Sequence, residues 1–282
     1  MNSNTVRATL QAATVSLAAV TDTPRLDAEL LMMHALKISR QALILDQLDT
    51  LAPGGFAPLL ARRLAREPIA YITGMRDFWT ISLAVAPGVL IPRPDSETLI
   101  EAAIEYFGAN GPRTVLDLGT GSGALLLASL AQWPGATGLG VDQSETALAI
   151  ARTNAAALGL GNRAAFQKGD WATNLAGSFD LILCNPPYVE TGADLAPEVL
   201  NEPHQALFAG ADGLDAYRVI IPQLPGLMAP AGMIAVEIGQ AQAPPVTRLF
   251  LTEGLSPQIR HDLAGRNRAI VHFSLGKASE SP

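Results

Sequence analysis

From Pro94 onward the chain alternates short apolar runs with helical stretches, and this alternation constrains the fold more than any other feature of the sequence. The runs are Thr114–Leu118, Gly138–Val141, Ala164–Gln167, Leu181–Cys184, Met233–Glu237, Ser256–His261 and Ala269–Ser274. Helical stretches separate most of them, for example Ser144–Leu158 and Leu214–Leu227. Repeated βα units with short connections specify a parallel sheet covered by helices on both faces. Only a short segment containing Gly265 joins the last two runs, so these should pair antiparallel. The expectation is an α/β, doubly wound, mainly parallel seven-stranded sheet. Hydrophobic residues make up 49% of the chain and charged residues 16%, which supplies a core for such a sheet and excludes disorder.

The first 70 residues follow a different rhythm. Leu26, Leu30, Leu31 and His34 fall on one helical face, with Pro24 where a first turn tolerates it. A second helix is predicted from Phe56 to Arg66, stopping before Pro68 because the residue ahead of a proline disfavours the α region. Short helices of this kind must pack on one another, which predicts a small helical bundle over residues 1–75. Phe78, Trp79, Ile81, Leu83 and Val85 then predict a β-hairpin acting as a linker over 76–92, with the sheet domain at 93–282. The tail Ser279–Pro282 is expected to fray.

Charge and cysteine usage narrow the class. The net charge of −7 argues against a generic nucleic-acid coat, and residues 81–257 hold 17 acidic against 7 basic side chains. The one concentrated basic group is Arg62, Arg63, Arg66 and Arg76, either a solvated helix face or a partner-docking surface. A single cysteine, Cys184, excludes an intrachain disulfide and fits the cytoplasm. The apolar look of Arg7–Val20 is broken by Gln11, Thr14 and Ser16, so an amphipathic helix is expected there rather than a signal segment, and no membrane span is expected. The four histidines show no metal-ligand spacing.

Two segments carry the chemistry. The run Thr114–Leu118 enters Gly119-Thr120-Gly121-Ser122-Gly123 and then a helix, a turn that brings backbone amides close to a ligand. Gly119, Gly121 and Ala124 also satisfy the loose dinucleotide fingerprint, so the turn by itself is ambiguous. Asp142 ends the next run, where a carboxylate can accept from both ribose hydroxyls. That identifies an adenosine and no more. Asp170 and Trp171 follow the third run and offer an acceptor and a ring for adenine. Downstream, an apolar run ends in Asn185-Pro186-Pro187-Tyr188. Prolines lack amide donors and restrict the backbone, so the Asn185 side chain and the Pro186 carbonyl become acceptors in a stiff frame. With Tyr188 as an aromatic face, the group suits a planar NH₂ gripped through its two hydrogens.

With the glycine turn, Asp142 and this tetrapeptide in order, the chain resembles the amino methyltransferases that use S-adenosylmethionine. Glu67-Pro-Ile-Ala-Tyr71-Ile-Thr-Gly74, Ile91-Pro-Arg-Pro-Asp-Ser-Glu97, Glu202-Pro203 with Gly210-Ala-Asp-Gly213, and Glu237-Ile-Gly239 narrow the resemblance to the HemK/PrmC family, the release factor glutamine methyltransferases. It spans about residues 60–270. Asp95 and Ser96 stand where that family usually has Glu and Thr, retaining charge and hydroxyl.

The resemblance implies methylation of the side-chain amide of the glutamine in a release factor's Gly-Gly-Gln loop. It implies S-adenosylmethionine at Gly119–Gly123, Asp142, Asp170, Trp171 and Asn185, with substrate at Asn185, Pro186, Pro187 and Tyr188. The catalytic residues it implies are Asn185, Pro186 and Tyr188, with the helical N-terminus recognising the protein substrate. The methyl donor is cationic, so the reaction calls for neither a metal nor a covalent nucleophile. A nucleic-acid amino methyltransferase, a ribosomal-protein glutamine methyltransferase and a non-catalytic adenosine-binding assembly factor are the alternatives. The first lacks a basic recognition region around the tetrapeptide. A nicotinamide dehydrogenase would need a His or Tyr/Lys pair placed for proton transfer, which is not found here.

Overall fold

Most strand segments here carry β-branched residues or leucine, and in the computed structural model, which describes residues 4–274, they form the expected sheet. After a hairpin of β1 (Met75–Phe78) and β2 (Ile81–Ala84) come β3 (Thr114–Leu118), β4 (Thr137–Asp142), β5 (Ala164–Lys168), β6 (Phe179–Cys184), β7 (Met228–Glu237), β8 (Pro257–His261) and β9 (Asn267–Phe273). The last seven make one sheet in the order β5-β4-β3-β6-β7-β9-β8. Pairing is parallel from β5 through β7, and β9 runs antiparallel to both β7 and β8. Both faces are covered. Leu99, Leu126, Leu183 and Val271 are among the residues burying one side, and Leu116, Ile182, Tyr217 and Phe250 are among those burying the other.

The chain divides into two compact units, Met1–Met75 with Leu195–Asn201, and Arg76–Asp194 with Glu202–Pro282. All of the hairpin but Met75 belongs to the second. Phe78, Ile81 and Leu83 sit in the same apolar cluster as Leu99 and Leu126, so the hairpin is a packed part of the sheet unit. Asn154 fastens it to the glycine turn: its Oδ1 accepts from Ala84 N (2.7 Å), and its Nδ2 donates to Ala84 O (3.0 Å) and Ser122 O (2.9 Å). The neck of the Leu195–Asn201 excursion is closed within the sheet unit by Val189 N donating to Leu207 O (2.8 Å) and Ala209 N to Val189 O (2.9 Å).

The first unit is a helical bundle built on Val6–Leu17, Pro24–Leu36 and Phe56–Leu64. Here the structure corrects the predicted face of the second helix. Ala28, Leu31 and Met32 are buried, whereas Leu26 is 41% exposed and His34 is exposed. The reason is electrostatic: buried Asp27 accepts from Arg63 Nε at 2.8 Å, and turning that ion pair inward rotates the helix away from the purely apolar face. The basic group is engaged by neighbouring acceptors. Arg63 also faces Glu198 (3.6 Å), Arg62 pairs with Glu67, Arg66 faces Glu198 (3.8 Å), and Arg76 donates to Pro92 O (3.2 Å). These guanidiniums have partners within their own units, and Arg62 and Arg66 stay 43% and 39% exposed.

Two helix ends also shift. Phe56–Leu64 ends early, with Arg66 at φ +65°. The predicted Leu214–Leu227 helix is α-helical only over Asp215–Ile220, then tightens into 3₁₀ turns where Pro222 and Pro225 remove amide donors. No helix among the described residues is long and apolar enough to cross a membrane.

Candidate active site

In open α/β sheets ligands bind beyond the strand C-termini, where the strand order reverses. Here the chain passes outward from β3 to β4 and β5, then returns to the other side of β3 as β6. Leu118 is in register with Cys184, so the glycine turn and Asn185 emerge side by side. Two overlapping clefts open there, of about 660 and 400 Å³, sharing Leu90, Gly119, Gly121 and Asn185.

The larger cleft is lined by Gly119, Gly121, Asp142, Gly169, Asp170, Trp171, Asn185 and Pro187. Asp142 is preorganised: Oδ2 accepts from Gly121 N (2.9 Å) and Oδ1 from Ser144 N (2.8 Å). Each carboxylate oxygen keeps a further lone pair for a ligand hydroxyl. Trp171 takes a left-handed backbone (φ +51°) that brings its ring to the glycine turn. Gly119 is itself at φ +72°, and a Cβ there would meet Trp171 Cζ3 at 3.1 Å, so only glycine leaves the approach open.

Thr120 and Ser122 line the smaller cleft together with Asp117 and Ser96. Asp117 is buried. Its Oδ2 accepts from Thr120 Oγ1 (2.6 Å) and Leu126 N (3.3 Å), while Oδ1 has no partner among the described residues. Burial pushes the Asp117 carboxyl up to about 7 against the pull of those bonds. An orphaned buried acceptor at the cleft wall is a place for a cationic donor, and the acidic lining suits a sulfonium. The residues present therefore fit S-adenosylmethionine.

Behind Asn185 runs a chain of polar groups leading to Glu237, which is fully buried at the end of β7. Asn185 Nδ2 donates to Ser96 Oγ (3.0 Å), Ser96 Oγ donates to Glu237 Oε2, and Tyr188 Oη donates to Glu237 Oε1 (3.4 Å). Burial pushes the Glu237 carboxyl up to about 7, partly offset by the Ser96 bond and Arg268. Burial also raises the Tyr188 phenol, which stays a donor. Behind it, Gln242 Nε2 donates to Tyr188 O (2.9 Å). Glu202 clamps the segment carrying Ser96, accepting from Ile91 N (3.0 Å) and from Arg93.

The clefts thus gather most of the residues expected from sequence. Three stand outside both linings: Gly123, a helix cap at φ +85° behind the turn, buried Pro186, and Tyr188, whose hydroxyl faces Glu237. Sequence reasoning missed Asp117, Ser96 and Glu237 as interacting parts of the site, together with the lining residues Val89, Leu90 and Gln205. A signal existed for two of them. Asp117 and Glu237 are carboxylates inside otherwise apolar strands, a placement that is almost never without a partner.

Sheet order and cleft together define a Rossmann-like fold, which a methyltransferase from Pyrococcus furiosus shares (TM-score 0.54, 16% identity, covering 77% of this chain and 98% of that one). Family models described as PrmC N-terminal domain and methyltransferase small domain match residues 8–74 and 96–212. Release factor glutamine methyltransferases from Rhodospirillum rubrum and Caulobacter vibrioides are 48% and 42% identical over 88% and 89% of this chain, and 78% and 89% of theirs. The chain belongs to the release factor glutamine methyltransferase family.

Proposed function

We propose that this protein methylates the side-chain amide nitrogen of the glutamine in the Gly-Gly-Gln loop of peptide chain release factors, in the cytoplasm, using S-adenosylmethionine. The observation that carries the reading is Asn185, set beside the glycine turn with its amide nitrogen already engaged by Ser96. This leaves Oδ1 as the acceptor the side chain can present to a substrate NH₂.

Bound along Gly119–Gly123, Asp142, Asp170 and Trp171, the cofactor supplies an electrophilic methyl group. The protein's own task is positional. An amide nitrogen is a poor nucleophile because its lone pair is delocalised into the carbonyl. Asn185 Oδ1 and the Pro186 carbonyl would align both N–H bonds, with Pro187 and Tyr188 framing the side chain. Such alignment can recover on the order of 7–11 kcal/mol. Interactions that strengthen as the new bond forms raise the rate of the chemical step itself. We assign substrate recognition to residues 1–75.

The test is mass spectrometry of glutamine-loop peptides from a release factor incubated with this protein and S-adenosylmethionine. One added methyl group on the loop glutamine is expected. An unmodified glutamine, with methyl transfer to nucleic acid instead, would overturn the assignment of substrate.

A further inference from the structure

We propose that Glu237 is a positioning residue that decides which end of the Asn185 amide faces the cleft, acting through Ser96, and that also orients the Tyr188 hydroxyl. This deepens the reading above and rests on it.

Donor and acceptor inventory fixes the polarity of this chain of groups. An ionised carboxylate only accepts, so both groups facing Glu237 must donate to it. The Ser96 proton is therefore committed to Glu237 Oε2, and its oxygen is left to accept. The Asn185 group on Ser96 must then be the NH₂, as found at 3.0 Å, and the carbonyl oxygen is turned elsewhere. An Asn amide whose ends exchange would offer donors to a substrate NH₂ and repel it. Glu237 is 0% exposed and lines neither cleft, so it acts on the reacting group only through its neighbours.

The same inventory predicts what protonation does. A neutral Glu237 carboxyl is a donor as well as an acceptor, and the polarity of the chain is no longer fixed. The groups facing it are Arg268 from β9, which favours the charged form, and Asp95, which opposes it, with Tyr188, Tyr217 and Cys184 on the remaining sides. With the carboxyl pushed up to about 7, the ordering weakens as pH falls through neutrality.

Single-turnover methylation of the intact release factor tests this, alongside cofactor titration and a pH series from 6 to 9. Ser96→Ala should lose tenfold or more in rate, and Ser96→Thr, which restores a hydroxyl, should recover most of it. Glu237→Gln should lose a similar factor, because an amide can accept from only one of the two donors, and the fall in rate below neutral pH should vanish. Cofactor affinity should change less than twofold in Glu237→Gln. Wild-type rates in Ser96→Ala, or an unchanged acid limb in a folded Glu237→Gln, would overturn the proposal. Asn185→Ala, assayed in parallel, separates the two levels. If it is inactive while the other variants are normal, only the role of Glu237 fails. If it is itself normal, the reading of Asn185 fails.

Discussion

Asp142 and Asn185 are assigned opposite parts in the proposed reaction, one in binding and one in rate. Asp142 holds two backbone amides and has acceptor capacity left over. Replacing it with alanine is expected to weaken S-adenosylmethionine binding by roughly 1.5–3 kcal/mol, the cost of losing hydrogen bonds to a charged acceptor. Calorimetry showing unchanged affinity would remove Asp142 from the site. Asn185 should behave in reverse, because its grip matters most once the amide begins to lose resonance. Asn185→Ala is expected to lower the single-turnover rate by ~10²–10³, taking loss of one preorganised transition-state partner as the measure, while a cofactor titration moves little. A near-normal rate would make Asn185 a strand cap and leave Pro186 and Tyr188 to carry the mechanism.

At the scale of elements, polar residues decide orientations that apolar pattern leaves open. The helix Pro24–Leu36 carries apolar residues on several sides, and the Asp27–Arg63 pair selects the face turned inward. Both side chains are buried, at 7% and 5% exposure, so losing Asp27 leaves the Arg63 charge only the longer 3.6 Å contact with Glu198. Asp27→Ala is expected to cost about 3–5 kcal/mol in denaturant unfolding of the full chain. A loss below ~1 kcal/mol, the range of exposed pairs, would show that the pair is screened by water. The hairpin follows the same logic in the sheet unit, where apolar alternation places Phe78, Ile81 and Leu83 inward and Asn154 fixes where β2 ends.

For the molecule as a whole, two buried carboxyls tie stability to pH. Asp117 and Glu237 are both raised to about 7 by burial. In the unfolded chain they release their protons near pH ~4. Between these values the folded state binds more protons than the unfolded one, so their contribution to stability is full below about 4 and is lost as pH rises to about 7. Glu237→Gln removes one share, worth up to about 3 kcal/mol. Its melting temperature relative to wild type should therefore be higher at pH 8 than at pH 5.5, by ~2–4 °C for each kcal/mol recovered. An equal difference at both pH values would show that Glu237 titrates like an exposed carboxyl. Deleting residues 1–75 tests the proposed division of labour: S-adenosylmethionine binding should persist while methylation of the intact factor is abolished. Full activity of the truncated protein on the factor would refute substrate recognition by those residues.

The strand runs from Thr114 to Phe273, their mainly parallel pairing, and the places of the glycine turn and of Asn185–Tyr188 at strand ends were legible in the sequence. Each depends on local periodicity or on residues adjacent in the chain, which a strand or turn expresses directly. The tail Ser279–Pro282 lies outside the described residues. What only the tertiary structure decided involves partners far apart in sequence. Arg63 turns inward because Asp27 lies 36 residues away, and Leu195–Asn201 joins the helical unit across a long gap. Ser96 and Glu237 meet at a separation of 141 residues, and Ser96 meets Asn185 at 89. Hydrogen-bond polarity propagates through space, so the direction in which Asn185 points is set where β6, β7 and the turn before residue 97 converge.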